Sequence, residues 1–271
     1  MKKVKIVKIR AKSIFTRTKI SNLSYSLNQY VGCMHSCLYC YAKYICKWKN
    51  YGKWGDWVEV KINAPELVRG KFIRGNVFMS TVSDPYQPIE RKFKLTRKIL
   101  ENMNKKVRLL ILTKSNLIIR DINIFNKFEN INIGLTLNGF DGKVKRNLEP
   151  YAPVHEKRVQ ALKELKEEGL RTYAFISPII PKLVEIEEII KETKDLVNYY
   201  IFELINIRLS GGEFLRYLIE NHPKSYEVLI NQDNFSKFLA ELKDYIKKLN
   251  LNAKIIQHKN QTYSIYKKQM F

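Results

Sequence analysis

The chain has 271 residues, 45% of them hydrophobic, with 49 Lys plus Arg against 26 Asp plus Glu and a formal charge of +23. That length suits one large domain or two small ones burying about 70% of the unfolded surface, with no need of disulfide staples. Val107 to Thr113 and Ala174 to Ile180 are its longest apolar runs, far short of the ~20 residues that cross a bilayer. Lys5, Lys8, Arg10 and Lys12 break every run near the start, so neither a membrane span nor a secretory leader is expected.

Residues 1 to 20 alternate basic and apolar side chains, Val4, Ile6 and Ile9 against Lys5, Lys8 and Arg10, which predicts an edge strand followed by a basic arm with Arg17 and Lys19. Leu23, Tyr25, Leu27 and Gln29 then form a strand running into Gly32-Cys33-Met34-His35-Ser36-Cys37-Leu38-Tyr39-Cys40-Tyr41-Ala42. These eleven residues hold three of the four cysteines. Thiols at i, i+4 and i+7 share a face and can converge on one object. Three readings stand side by side. Cysteine is often a small buried hydrophobe. Zinc takes four closed ligands, usually as separated Cys-x2-Cys pairs, and the chain has no second pair. An iron–sulfur cluster of four irons on three cysteines keeps one iron open for chemistry.

Ala42 to Lys53 has a helical pattern carrying Cys46 and Trp48, where Cys46 is a core or surface thiol, or, six residues beyond Cys40, a fourth ligand. The stretch Trp48 to Trp57 mixes Trp48, Tyr51, Trp54 and Trp57 with Lys47, Lys49 and Lys53. That mixture either stacks single-stranded nucleic acid or packs a loop.

From residue 76 short apolar strands alternate with amphipathic helices. Strands are predicted at Asn76 to Thr81, Val107 to Thr113, Ile131 to Asn138, Arg171 to Pro178 and Tyr199 to Ile205. Helices are predicted at about 94–104, 118–128, 155–168 and 184–197. The third carries a charge-rich face from Glu156-Lys157-Arg158 to Glu167 and is closed by Gly169. Repeated βα units imply a parallel sheet of about six units, fewer than the eight of a closed TIM barrel. After residue 206 the pattern is mainly helical, with Phe235 to Leu249 amphipathic, a last strand at Ala253 to Gln257 and a basic tail. The division expected is a basic arm or edge strand at 1–20, a core at 21–206 and a helical extension packed on it at 207–271.

Cys33-x3-Cys37-x2-Cys40, with aromatic Tyr39 before the last cysteine, resembles the signature of the radical S-adenosylmethionine (SAM) enzymes. The likeness is to the subgroup similar to spore photoproduct lyase, also called DNA repair photolyase-like. It is carried by Asn28-Gln29-Tyr30-Val31-Gly32-Cys33, Ser83-Asp84-Pro85-Tyr86-Gln87-Pro88-Ile89-Glu90, Leu95-Thr96-Arg97, Thr113-Lys114-Ser115 with Arg120-Asp121, and Leu148-Glu149-Pro150 with Ala152-Pro153. The resemblance implies an α/β fold, a partial (β/α)6 TIM barrel of the radical SAM type. It also implies a [4Fe-4S] cluster on Cys33, Cys37 and Cys40, and SAM cleaved reductively to a 5′-deoxyadenosyl radical that abstracts hydrogen from a substrate.

By the same carry-over Ser83, Asp84, Lys114, Thr136 and Tyr39 contact SAM, with Tyr39 against the adenine. The Gly-Gly-Glu segment that many relatives place after the second strand is absent there, and Gly211-Gly212-Glu213 lies too late in the chain to replace it. Tyr41 matches a tyrosine on the lyase's hydrogen path. Thr81 stands where the lyase has the cysteine that returns a hydrogen atom, and a hydroxyl hydrogen is bound too strongly for that step. The lyase reaction itself is therefore in doubt. The expectation is a cytoplasmic enzyme acting on a nucleic acid base, reduced by a flavodoxin- or ferredoxin-like donor. Modification of a peptide or small metabolite, and a non-catalytic iron–sulfur electron-transfer or sensing role, are the alternatives. The +23 charge fits phosphate contacts and also the Lys, Ile and Asn bias of AT-rich coding, so it does not decide the substrate.

Overall fold

The computed structural model describes residues 3–258. In chain order the strands are β1 (Lys5–Ile9), β2 (Phe15–Arg17), β3 (Tyr25–Leu27), β4 (Tyr30–Val31), β5 (Trp57–Lys61), β6 (Asn76–Met79), β7 (Arg108–Thr113), β8 (Ile131–Leu137), β9 (Thr172–Ile179), β10 (Tyr199–Leu204) and β11 (Ala253–Ile256). They form an eight-stranded sheet in the order β11-β10-β9-β8-β7-β6-β3-β2 and a three-stranded sheet in the order β1-β5-β4. Every pairing from β3 through β6 to β11 is parallel, and β2 lies antiparallel on the edge. This is the partial TIM barrel, with helices on its outer face.

The pattern from residue 76 onward gives each strand within a few residues because parallel strands are buried on both faces and read as apolar runs. The helix His155–Glu167 buries His155, Arg158, Ala161, Leu162 and Leu165. It ends where the Leu170 N–H meets the Leu165 carbonyl (3.2 Å) and the Gly169 N–H meets that of Lys166 (3.0 Å), with Gly169 at φ +74°. These are the paired bonds of a Schellman cap.

Three expectations need correction. The basic arm after the first strand is itself a strand, β2, with Arg17 in it, so the first twenty residues supply one edge to each sheet. The helix expected over 42–53 is a single turn, Ala42–Ile45. Beyond it the chain is tied to β5, Lys49 Nζ and Tyr51 Oη lying 2.5 and 2.9 Å from Glu59 Oε1. The helix expected over 118–128 is a 3-10 segment, Asn116–Asp121, continued by one turn, Ile122–Phe125, and the short helices Ala64–Val68 and Gly142–Leu148 were not anticipated. The last strand expected at Ala253 to Gln257 is present as β11, which pairs with β10 beyond a run of four helices between Ile207 and Lys248. The basic tail lies outside the described residues. Among the described residues no helix is long and apolar enough to cross a membrane.

The strand alternation fixes what faces the lumen. Tyr200 turns outward, its hydroxyl 3.0 Å from Thr193 Oγ1 on the helix Ile186–Thr193, so Tyr199, Ile201 and Glu203 turn inward. Tyr173 of β9 lies inside as well: its ring stacks on Tyr199 at 5.0 Å, and its hydroxyl donates to the Ile111 carbonyl at 3.1 Å. That ring passes over Gly134, where any Cβ would collide with it. With the lower lumen filled by Tyr173 and Tyr199, the next inward layer is Thr136, Phe175 and Ile201, which share one register, and Ser177 and Glu203 follow it toward the strand ends.

Candidate active site

The cysteine loop leaves β4 at Gly32, whose φ of +86° and close approach to Trp57, with the carbonyl oxygen 2.6 Å from a built Cβ, leave room for glycine alone. Gln87 clips the next turn from both ends. Its Oε1 accepts the Met34 N–H (2.8 Å) and its Nε2 donates to the Gly32 carbonyl (3.1 Å). Farther along, Leu38 N–H bonds the Leu148 carbonyl at 2.9 Å. The loop therefore has a fixed shape set by the chain itself.

Cys33 and Cys37 are buried, Cys40 half-buried, and no disulfide joins them. Burial pushes all three thiols up from the usual range, and each feels its neighbours' charge. Working the other way, backbone N–H groups of His35 and Asp84 reach the Cys33 sulfur, and those of Ala42 and Lys43 the Cys40 sulfur, while Lys114 acts on Cys37 and Cys40. Thiolates hold an iron–sulfur cluster, and N–H donors to their sulfurs are one of the means by which a protein tunes it. Among the described residues no three His, Cys, Asp or Glu side chains gather on a single ion. A cluster instead spreads its thiolates over separate irons, so the three cysteines fit a cluster with an open iron better than a closed zinc site.

Behind the loop the segments that carry the resemblance form a buried network. Tyr30 Oη and Arg120 Nη2 meet Glu90 at 2.5 and 2.7 Å, and Tyr86 Oη, Arg97 Nη1 and Arg120 Nη2 meet Asp121 at 3.1, 2.8 and 2.8 Å. Asp84 belongs to this support. Its Oδ1 accepts from Tyr86 N (2.8 Å) and Thr113 Oγ1 (2.5 Å), its Oδ2 from Lys114 N (2.8 Å), and His35 Nδ1 lies 3.5 Å away. With both oxygens so occupied, Asp84 ties the β6 and β7 ends to the cysteine loop. Ser83 Oγ is also engaged, donating to the Tyr30 carbonyl at 3.2 Å.

Lys114 leaves the end of β7 toward a second hub, Glu149. Its Nζ lies 3.4 Å from Glu149 Oε1 and 5.8 Å from the centre of the Tyr39 ring. Glu149 also accepts from the Tyr39 hydroxyl, from Asn138 Nδ2 at 2.8 Å and, in a close pair, from Arg158 Nη2. Burial alone would raise its carboxyl, yet Arg158, Lys114 and the hydrogen bonds outweigh burial and hold it well below the usual carboxylate range. The Tyr39 ring rests edge-on against Phe140 and Phe214, at 6.4 and 6.3 Å. Thr136 lies buried beside this hub, its carbonyl accepting from Arg158 Nη1 at 3.1 Å.

The Tyr41 hydroxyl donates to the Thr81 carbonyl at 2.7 Å, which joins residues 40 apart. Asn28 fixes that end, its Oδ1 accepting from Thr81 N (2.7 Å) and Val82 N (3.2 Å). The sequence gives no signal for the roles of Asn28 and Gln87. Arg158, placed by its neighbours on the charge-rich face, is instead on the buried face with 1% exposure; its spacing of three and seven from Ala161 and Leu165 is the signal that finds it. In the aromatic stretch only Trp48 keeps the shape of a stacking platform, 70% exposed with Lys49 Nζ at 4.1 Å over its ring. Trp57 is buried under Tyr51 and Trp54, at 5.3 and 6.1 Å.

Comparison with known proteins agrees with this geometry. The profile of the Radical SAM superfamily matches residues 27–192. An uncharacterized protein of Methanocaldococcus jannaschii, MJ0683, is 50% identical over 252 residues, 93% of this chain and 97% of the relative. A spore photoproduct lyase mutant with bound AdoMet and dinucleoside spore photoproduct superposes with a TM-score of 0.63 at 17% identity, covering 92% of this chain and 81% of that one. Streptococcus suis SuiB bound to S-adenosylmethionine gives 0.51 at 14% identity, covering 87% and 50%. With three cysteines at the mouth of a partial barrel of the spore photoproduct lyase type, and a superfamily profile covering more than half its length, the chain belongs to the radical SAM superfamily.

Proposed function

We propose that the protein is a radical SAM enzyme that holds a [4Fe-4S] cluster on Cys33, Cys37 and Cys40 and takes a hydrogen atom from a nucleic acid base. The observation that carries this reading is the Cys33-x3-Cys37-x2-Cys40 loop folded at the mouth of the barrel, with backbone N–H groups at the Cys33 and Cys40 sulfurs and the Lys114 ammonium acting on Cys37 and Cys40. When bound, the cluster supplies the electron that cleaves SAM to methionine and the 5′-deoxyadenosyl radical. The chain's own residues do the holding. Lys114 presents an ammonium that a SAM carboxylate can share with Glu149, Thr136 lines the inward face above Tyr173, and Ser83 and Tyr39 flank the loop. Asp84 acts by positioning Lys114 and the cysteine loop. The reductant is an external flavodoxin- or ferredoxin-like protein in the cytoplasm, where free thiols and an oxygen-sensitive cofactor persist.

Lys114→Ala is expected to weaken SAM binding roughly tenfold or more, the scale of a lost charge-assisted hydrogen bond. The absorbance of the reconstituted cluster should stay unchanged, since the lysine pairs with carboxylate and not with iron. Equal SAM affinity in calorimetry would reduce Lys114 to a support of Glu149.

Support for a nucleic acid substrate is the charge of +23, together with a cavity of about 550 Å³ lined by Ile6, Lys8, Lys92, Phe93 and Lys98, where lysines surround an aromatic ring. The test is reductive turnover with SAM. Nucleic acid should raise 5′-deoxyadenosine above the uncoupled background and pass deuterium from labelled nucleotides into it, whereas heparin should bind with neither effect. Tight binding without stimulation or deuterium transfer would leave the radical chemistry standing and remove nucleic acid as substrate.

A further inference from the structure

The inward positions above Tyr173 include one carboxylate that the proposed chemistry does not use. Glu203 sits at the end of β10 with its side chain 25% exposed into the lumen. Ser177 Oγ donates to its Oε2 at 2.7 Å, and His258 Nε2 lies 3.4 Å from its Oε1. Ser177 is itself fixed, its carbonyl accepting from Asn138 Nδ2 at 3.4 Å, and that same amide holds Glu149.

Its partners set it apart from the carboxylates that serve the fold. Glu59 is paired with Lys49, Glu90 with Arg120, Asp121 with Arg97 and Arg120, and Glu149 with Arg158. Among the described residues no lysine or arginine pairs with Glu203, although the chain carries 49 of them. A carboxylate braced by a hydroxyl and an imidazole keeps acceptor capacity, because two oxygens offer about four lone-pair sites. Placed in a lumen, that capacity is available to a ligand.

We propose that Glu203 is the substrate anchor of the barrel mouth, accepting a hydrogen bond from a ring N–H of a nucleobase and so setting which face of the base meets the reacting centre. The assignment rests on the nucleic acid reading above and adds to it the edge of the base that is recognised. Thymine N3–H is a suitable donor, neutral and planar, and its methylation removes the donor while keeping the ring.

The experiment compares binding of a thymine decanucleotide with its N3-methylated counterpart, by fluorescence anisotropy on the reconstituted protein with SAM. The natural chain should prefer the unmethylated strand about tenfold, the scale of a hydrogen bond to a charged group. Glu203→Leu should bind both strands equally, at the affinity of the methylated one, and Glu203→Gln, which keeps shape and an acceptor, should retain part of the preference. Cluster absorbance and SAM affinity should be unchanged in both variants, which shows that each is folded. Equal affinity of the natural chain for the two strands, or a full preference in Glu203→Leu, overturns the assignment. Deoxyadenosine formed without nucleic acid separates the two readings: its absence from the natural chain counts against the radical chemistry, whereas its presence with no N–H preference counts against the anchor.

Discussion

Anaerobic reconstitution is expected to give four irons per chain in the natural protein and in Cys46→Ala, and none in Cys33→Ala, Cys37→Ala or Cys40→Ala. On the proposed ligand set each of the three loop cysteines would bind its own iron, so two thiols would not hold what three do. Cys46 is the contrasting case. It is 3% exposed at the end of the single turn Ala42–Ile45, and burial, with the neighbouring charge of Cys40, pushes its thiol up to about 11. Burial raises the three loop thiols as well, so it is position that sets Cys46 apart: it lies six residues past Cys40, outside the Cys-x3-Cys-x2-Cys run, and packs as a small apolar group. Iron analysis with visible absorbance checks this. Equal loss of iron in Cys46→Ala would overturn the ligand set, and one zinc per chain with no iron would revive a closed site.

Glu149→Gln is expected to lower stability by about 3–5 kcal/mol, the range measured when one member of a buried ion pair is removed. Arg158, at 1% exposure, would be left with a charge that water cannot reach, and Lys114 and Tyr39 would each lose a partner. Glu101→Gln is the control, because its pair with Arg97 is partly solvated and should be worth less than about 1 kcal/mol. Urea unfolding of the metal-free chain compares them. The sign with pH follows from the direction of the shift. The Glu149 carboxyl lies below its ordinary range in the folded chain, so its contribution is complete above the unfolded pKa and is lost as pH falls through the depressed folded value. The gap between the natural chain and Glu149→Gln should therefore hold through neutral pH and close only in strong acid. A gap below about 1 kcal/mol at pH 7 would show that Arg158 finds other acceptors.

The alternating barrel was legible because strands buried on both faces and helices buried on one give different periods. Cys33, Cys37 and Cys40 stood out by their spacing, but spacing left a buried core, zinc and an iron–sulfur cluster open, and it was the resemblance to the radical SAM signature that pointed to the last. Long-range pairing was not legible: β1 and β5 are parallel partners 52 positions apart, as in the match of Lys5 with Trp57, and no local pattern encodes such a match. Tyr41 and Thr81 meet through a backbone carbonyl, which the identity of Thr81 does not reveal. Arg158 was misplaced because a guanidinium is assigned to water by default, whereas Glu149, nine residues earlier, and the Pro153 and Thr136 carbonyls satisfy it in the interior. The aromatic and basic run after Ala42 suggested a helix, but Gly52 and Gly55, at φ +112° and +91°, and the pull of Glu59 turn it into a loop.

The Asp84 knot and the Gln87 clip have a consequence for how the enzyme is made. Both hold the cysteine loop through the chain's own donors and acceptors, with Asp84 gathering Tyr86, Thr113 and Lys114 and Gln87 bracing both flanks of Cys33. In small zinc domains folding waits for the ion, because the ligands are the main constraint on the chain. Here the chain's own hydrogen bonds carry part of the cost of ordering the loop, whatever its thiols bind. On the ligand set proposed above, an iron-free chain should therefore keep more order around Cys33 than a zinc domain keeps without its ion, so that loading resembles filling a vessel more than casting one.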